Sequence, residues 1–219
     1  MAIFKDGVVR HTAVIPFGGN VITEDIKEGC TIIRSQAELL KIRFGSALAS
    51  ENQENEIVSI PGLRGREPKE ISIRNLANII QARMEEIIEH VYYEIKNSGF
   101  EKKLVAGIVI TGGGAQLRHI VQLVEFITGM DTRIGYPNEH LAKGADELKS
   151  PMYATSVGLV IKGFLEMEKK KLAQKKLRDK VEFEKKGKSD KLVPPSRTGG
   201  GFFDAIKKIF EEEPDNELK

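Results

Sequence analysis

The most informative segment of the chain is "IVITGGGAQL", residues 108–117. It completes a continuous apolar run over residues 104–110, which is typical of a central strand buried on both faces. Gly112, Gly113 and Gly114 follow this strand and precede apolar residues at helical spacing. A strand, a glycine turn and a helix start in this order present backbone N–H groups and a positive helix end to a polar ligand. A turn packed tightly on a neighbour is an equally good interpretation, since the spacing of a P-loop or a dinucleotide-binding loop is absent.

Upstream of this stretch, the apolar periodicity and the turn residues predict a series of strands and helices. They are a hairpin over residues 2–15 with its turn at Asp6-Gly7, helices over 21–28 and 35–46 with Ser35 as an N-cap, strands over 56–60 and 69–73, and a long helix over 74–97. The long helix carries an apolar stripe formed by Leu76, Ile80, Met84, Ile87, Ile88, Val91 and Ile95. Because the first strand is short and starts at residue 2, we expect the chain to begin inside a domain.

Downstream, the glycine turn leads into a predicted helix that ends at Gly129. A short strand over residues 132–135 and a helix from about 151 to beyond 164 follow. The segment from Glu168 to Lys191 then carries eleven basic and five acidic residues. Residues 187–201, with two adjacent prolines and three consecutive glycines, are predicted to form a flexible linker.

Composition limits the possible functions. The chain has 219 residues, of which 40% are hydrophobic, so it can bury a core and is not a disordered protein. A net charge of +2 favours no nucleic-acid partner, and a single cysteine, Cys30, excludes a disulfide framework. No apolar run reaches the roughly eighteen residues of a membrane span. Cys30 is expected to act as a small, half-buried apolar residue.

The last segment is strongly amphipathic. Projected as a helix, Phe202, Phe203, Ile206, Ile209 and Phe210 share one face, and charged residues occupy the other. Such a helix needs an apolar surface, which is either a lipid bilayer or the chain's own core; the flexible linker before it favours the bilayer. Elsewhere the sequence shows no catalytic arrangement, and its four histidines have no metal-ligand spacing. We therefore predict no catalytic residue and no metal site.

Five stretches together resemble one family. They are "RHTAVIPFGGNVITEDI" (10–26), "AELLKIRFGSAL" (37–48), "GIVITGGGAQL" (107–117), "RIGYP" (133–137) and "YATSVGLV" (153–160). In this order they resemble the FtsA family of bacterial cell-division proteins, which belongs to the actin/Hsp70 superfamily. The resemblance implies an α/β fold, the actin/Hsp70-like (ribonuclease H-like) second lobe, with the first lobe and its phosphate hairpin missing.

The resemblance also implies a domain organisation. Residues 1–28 and 103–166 would form subdomain 2A, and residues 29–102 would form subdomain 2B. A charged helix extension and linker would cover residues 167–201, and an amphipathic membrane-targeting helix residues 202–213. In this family the second lobe shares in a cleft that binds ATP with Mg²⁺.

The family's nucleotide residues match Glu38 and Lys41, in the E-x-x-K helix, and the three glycines Gly112, Gly113 and Gly114. Because half of the cleft is absent, we expect this chain to bind ATP weakly and not to hydrolyse it alone. The family's binding site for the C-terminal tail of the tubulin-like protein FtsZ matches Lys69 and Arg83, which we expect on the surface. From the residues alone, Arg83 would be an ordinary exposed residue of the long helix.

The implied function is an adaptor that tethers FtsZ filaments to the cytoplasmic face of the inner membrane at the division septum. Its implied partners are the FtsZ tail, membrane lipid and further copies in actin-like filaments. Two alternatives stay open at this point. One is an enzyme of the same superfamily, such as a sugar- or acetate-type kinase. The other is a different actin-like protein, such as a pilus-assembly ATPase.

Overall fold

A computed structural model describes residues 1–189 except 63, 64, 66, 140 and 143, with side chains described as far as residue 178. The helices are α1 (Gly19–Cys30), α2 (Arg34–Phe44), α3 (Ile73–Asn97), α4 (Ile120–Thr128) and α5 (Ala154–Ser189). The strands are β1 (Ala2–Lys5), β2 (Val8–Thr12), β3 (Ile57–Ile60), β4 (Lys69–Ser72), β5 (Ile108–Ile110) and β6 (Thr132–Ile134). Short 3-10 turns separate several of them. The chain divides into two compact units, residues 1–164 and the part from Leu165 onward.

The strands of the first unit form three two-stranded sheets. β1 and β2 pair antiparallel, with Phe4 opposite Val9, and the turn between them has positive φ at both Asp6 (55°) and Gly7 (74°). Two positive φ angles match the right-handed twist of a tight hairpin, so the predicted D-G hairpin is confirmed. β3 and β4 also pair antiparallel, and β5 and β6 pair parallel.

The core lies among α1, α2, α3 and α4, and β3 and β4 contribute one buried residue each, Ile60 and Ile71. Its buried residues are Ile22, Ile26, Cys30, Ala37, Leu40, Ala47, Ile60, Ile71, Leu76, Ile80, Ile88, Leu117, Ile120, Leu123 and Val124. The predicted stripe of the long helix supplies three of these, and Met84, Ile87 and Val91 are only half-buried. The helix begins where the Ser72 hydroxyl accepts a hydrogen bond from the Asn75 N–H and ends before Gly99, whose φ is 69°.

Two local predictions are wrong. Ser35 is not an N-cap, because α2 already begins at Arg34 and Ile33 stands at the cap without a side-chain hydrogen bond. β5 is shorter than the apolar run and is not buried on both faces, since Val109 is 49% and Val105 is 93% exposed. The reason is the turn before it: the Gly107 N–H donates to the Leu104 carbonyl at 3.1 Å, which keeps residues 104–106 out of the strand. Within the described residues, β5 pairs with β6 alone.

The basic stretch that begins at Glu168 is helical as far as the structure describes it. α5 continues through it to Ser189, so Gly187, placed at the start of the predicted linker, lies inside the helix. The remainder of the linker and the terminal amphipathic segment lie outside the described residues. The division of the first unit into subdomains 2A and 2B stays a prediction.

Candidate functional site

The two predicted nucleotide residues of α2 contact each other and α1. The Lys41 Nζ lies 2.7 Å from Glu38 Oε2, 2.7 Å from the Thr23 hydroxyl and 2.9 Å from the Gly19 carbonyl. Glu38 and Lys41 are three residues apart on the helix, which places them on the same face. An ammonium has three N–H donors, so these partners account for all of them. We call these four residues the α2 network.

The α2 network is partly shielded from water. The Lys41 side chain is 14% exposed and the Glu38 side chain 42%. Burial raises the pKa of the Glu38 carboxyl, but hydrogen bonds from Lys41 and Thr23 outweigh this, and the pKa lies below its ordinary value. A phosphate group could reach Lys41 only by replacing one of its internal partners.

The glycine turn has an open surface. Gly112 has a φ of 93°, a conformation that favours glycine, and a Cβ at Gly112, Gly113 or Gly114 would meet no atom within 4 Å. On the side where a Cβ would stand, the turn is not packed against a neighbour and leaves space for a ligand, while its Gly112 N–H donates to the Pro151 carbonyl at 3.1 Å. The glycines do not lead directly into an α-helix, however. A 3-10 turn over Gly113–Gln116 intervenes and α4 begins only at Ile120, so the predicted helix end beside the glycines is wrong.

The structure brings the α2 network and the glycine turn into one neighbourhood. Gly19, whose carbonyl binds Lys41, and Gly114 both line a cavity of about 300 Å³. The remaining lining is mostly apolar and comes from α1, α3, β5 and α4. The end of α2 is also joined to the chain after the glycine turn, since the Ala47 N–H donates to the Arg118 carbonyl at 2.8 Å.

The two predicted partner-binding cations come from β4 and α3, and both contact α1. The Lys69 Nζ donates to the Cys30 carbonyl at 2.5 Å. The Arg83 guanidinium donates through Nε to Asp25 Oδ2 at 2.6 Å and through Nη2 to Asp25 Oδ1 at 2.9 Å, and its Nη1 donates to Glu86. Lys69 is exposed, as expected, but the Arg83 side chain is only 26% exposed. The expectation of a freely exposed Arg83 is wrong, because sequence periodicity did not reveal the acidic partner on α1.

Thr23 and Asp25 are site residues that the sequence analysis missed. Thr23 is 1% exposed and lies between apolar residues on the buried face of α1. A hydroxyl on an apolar helix face is a signal that could have identified it, since buried polar groups need partners. Asp25 gave no such signal, because an acidic residue on an amphipathic helix is ordinary.

Other candidates take structural positions. The buried Cys30 is 7% exposed and burial raises the pKa of its thiol, in agreement with the expected apolar role. The His119 Nδ1 lies 3.0 Å from the buried Ser46 hydroxyl. Within the described residues, no three His, Cys, Asp or Glu side chains cluster as a metal site. The predicted membrane residues Phe202, Phe203, Ile206, Ile209 and Phe210 lie outside the described part of the chain.

The fold is that of an actin-like protein. The structure is similar to MreB5 of Spiroplasma citri bound to ADP, with a TM-score of 0.57 and 20% identity, over 77% of this chain and 51% of that one. It is also similar to the same protein bound to AMPPNP, with a TM-score of 0.54 and 23% identity, over 76% of this chain and 51% of that one. At these identities the likeness shows the fold, and it confirms the predicted actin-like α/β class.

The family follows from the sequence. Residues 1–158 match the family Cell division protein FtsA, and the chain belongs to this family. It is 38% identical over 164 residues to FtsA of Pseudomonas aeruginosa, covering 74% of this chain and 39% of that protein. It is 35% identical to FtsA of Escherichia coli K12, covering 73% and 40%, and 33% identical to FtsA of Bacillus subtilis 168, covering 73% and 35%. The chain thus spans about two fifths of the length of these relatives or less.

In the part of the chain that the structure describes, no helix is both long and apolar enough to cross a bilayer.

Proposed function

We propose that this chain acts as an FtsA-type adaptor in bacterial cell division, which binds the C-terminal tail of FtsZ and attaches it to the cytoplasmic face of the inner membrane at the septum. Family membership supports the division role. The binding site is inferred from one observation: Lys69 and Arg83, which are fourteen residues apart in the sequence, both contact α1. Their contact points, Asp25 and Cys30, are five helical residues apart, which corresponds to a rise of about 7.5 Å.

The surface between these cations suits an acidic peptide with apolar residues. Ile79, one turn before Arg83 on α3, is half-buried and packs on Gly29 so closely that a Cβ there would meet its Cδ1 at 2.7 Å. An apolar patch bordered by two cations can bind the apolar and the acidic side chains of one short peptide. FtsZ tail binding follows from this chemistry together with the family.

Calorimetric titration with an FtsZ C-terminal peptide tests this proposal. We expect saturable binding by the wild type and about tenfold weaker binding by Lys69→Glu or Arg83→Glu, because each reversal removes a cation that a peptide carboxylate can bind and adds a negative charge. Lys5→Glu in the β1–β2 hairpin is the matched control. It makes the same charge change on an exposed residue that is far in the sequence from Lys69 and Arg83. A wild-type chain that ignores the peptide, or a Lys5 variant that loses as much affinity, would refute the assignment.

The membrane part of the proposal rests on the residue pattern of the terminal segment. Full burial of one Phe or Ile side chain contributes about 1.5–3 kcal/mol, and interfacial insertion is partial, so one copy should bind reversibly. Copies joined in an actin-like filament, which we also propose, should bind much more tightly through avidity. Because Glu211, Glu212 and Glu213 make the helix end acidic, attraction to anionic lipid must come from the lysines that precede the linker.

Vesicle co-sedimentation tests the membrane anchor. We expect wild type to partition onto anionic vesicles, and both Phe203→Glu/Phe210→Glu and a chain that ends at Ser196 to lose most of this binding. Added salt should weaken wild-type binding only in part, since the apolar face contributes more than the lysines. Equal partitioning of all three chains would contradict the proposal.

For nucleotide, we propose that this chain neither binds ATP with Mg²⁺ tightly nor hydrolyses it alone. The support is the α2 network, in which Lys41 already has three internal partners.

A further inference from the structure

Arg83 holds α3 to α1 through a two-pronged ion pair. Its Nε and Nη2 both donate to the Asp25 carboxylate, and the two side chains are 26% and 25% exposed. The hydrogen bond to Asp25 is the main cause that raises the pKa of Arg83 above its ordinary value. A bidentate, half-buried pair of this kind has a defined geometry, unlike most surface ion pairs.

The charges around Arg83 do not balance. A guanidinium has five N–H donors, and Asp25 and Glu86 together take three of them. Two carboxylates against one cation leave the cluster with a net negative charge. Lys69 differs, because its partner is a backbone carbonyl without net charge. An acidic peptide is therefore attracted by Lys69 and repelled by the cluster at Arg83 as the structure shows it.

From this geometry we infer that Asp25 is an internal competitor for the acidic peptide, whose carboxylate replaces Asp25 on the Nε and Nη2 edge of Arg83. The inference rests on the proposed function, since it takes Arg83 as part of the peptide site. The competition also provides specificity. A peptide with a well-placed carboxylate can displace Asp25 from Arg83, whereas a peptide with apolar side chains alone cannot. Because Asp25 belongs to α1 and Arg83 to α3, the exchange also removes a link between these helices.

The test is peptide calorimetry with Asp25→Asn, a neutral side chain of nearly the same shape. Removal of the competing charge should tighten binding of the FtsZ tail peptide about fivefold, within the range measured for partly exposed ion pairs. Glu24→Gln is the matched control. Glu24 is the preceding residue of α1 and contacts Lys27 and Arg34 rather than Arg83, so its replacement removes the same charge from the same helix and leaves the Arg83 pair intact.

A double-mutant cycle with Arg83→Gln then separates competition from general electrostatics. In the Arg83→Gln background, Asp25→Asn should tighten binding no more than Glu24→Gln does. Should Asp25→Asn weaken binding, leave it unchanged, or tighten it only as much as Glu24→Gln does, the competitor role is overturned while the proposed peptide site survives. Failure of both wild type and Asp25→Asn to bind, with both chains still melting cooperatively, would instead refute the proposed function and the inference with it.

A second measurement needs no variant at Asp25. The NMR resonance of the Arg83 Nε–Hε group is sensitive to its hydrogen-bond partner. It is assigned by comparing the spectrum of the wild type with that of Arg83→Lys, in which this resonance is missing. During titration of the wild type with the peptide we expect this resonance to move as the acceptor changes from Asp25 to the peptide. A resonance that stays in place at peptide saturation would show that Asp25 keeps Arg83, which overturns the exchange even if Asp25→Asn fails to fold.

Discussion

Helix α1 contributes to two ion networks that differ in their charge balance. In the α2 network, near the start of α1, Thr23 lies between one cation, Lys41, and one anion, Glu38. Further along the helix, Asp25 and Glu86 surround the single cation Arg83. The side chain of Lys41 is 14% exposed and that of Arg83 is 26% exposed.

The difference shows how a shared helix can serve two purposes. The α2 network is neutral, and its cation has no donor left, so breaking it leaves a buried charge unpaired. Its main effect is to hold α2 on α1. The Arg83 cluster has an excess negative charge and more access to water, so its cation can exchange one carboxylate for another at small cost. We expect the first network to respond to mutation through stability and the second through binding.

The largest effect is expected from a mutation that weakens the packing of α1, the helix that both networks share. Ile26 on α1 is fully buried, and Ile26→Ala should lower the free energy of unfolding by about 2–5 kcal/mol through lost burial and a residual cavity. Ile42→Ala on α2, where the side chain is 69% exposed, is the matched control and should cost far less. Urea unfolding of both variants measures the difference, and equal midpoints would mean that α1 is not part of the core.

A smaller effect should follow from breaking the α2 network alone. Thr23→Val keeps the shape and removes the hydroxyl that contacts Lys41 and Glu38, and we expect a loss of about 1–3 kcal/mol in unfolding free energy because a buried donor loses its partner. Thr12→Val, on an exposed residue of β2, should change stability little. Peptide affinity should be unchanged in Thr23→Val; a large loss of affinity would show that the two networks are not separate.

The pH dependence of stability should be smaller still. The folded pKa of Glu38 is lowered, so its contribution is present above the unfolded carboxyl pKa and is lost as the pH falls through the folded value. Since this side chain is 42% exposed, solvent screening limits the contribution to about 1 kcal/mol or less. Melting temperatures of wild type and Glu38→Gln should therefore differ at pH 7 and converge towards pH 3. If the difference in melting temperature widened as the pH fell, the Glu38 carboxylate would not stabilise the fold, and this prediction would be wrong.

The smallest expected effect is that of nucleotide. Because Lys41 has its three internal partners, micromolar ATP with Mg²⁺ should leave the melting temperature unchanged. Tripolyphosphate at the same concentration is the control for non-specific ionic effects. A saturable stabilisation by ATP that tripolyphosphate does not reproduce would show that the α2 network opens for nucleotide and is as exchangeable as the Arg83 cluster.

Local chemistry accounts for the parts of this protein that were predicted correctly. The D-G hairpin, the long helix α3 and the αL glycine after α4 each depend on residues within a few positions of one another, and periodicity or turn chemistry reveals such features. The family follows in the same way from short stretches in a fixed order. These features were sufficient to predict the fold class and to select Glu38, Lys41, Lys69 and Arg83 as candidate site residues.

The failures were of a different kind. The apolar run over residues 104–110 reads as a strand buried on both faces, yet its burial depends on which strands pair with β5. Gly112, Gly113 and Gly114 were expected to begin a helix, and the open surface beside them is visible only in three dimensions. The turns that shorten β5 and delay α4 are local, but the burial of β5 depends on a strand partner that is remote in the sequence, and no local pattern reports it.

The family, most of the helices and strands, and the charged residues follow from the sequence. The partners of these charged residues follow from the tertiary structure: Arg83 pairs with Asp25, fifty-eight residues away, and Lys41 binds Thr23, eighteen residues away. Helices and turns form through neighbours along the chain, whereas contacts between helices depend on how whole helices pack. The packing of α1 against α2 and α3 thus places five ordinary charged residues in two networks with different net charge.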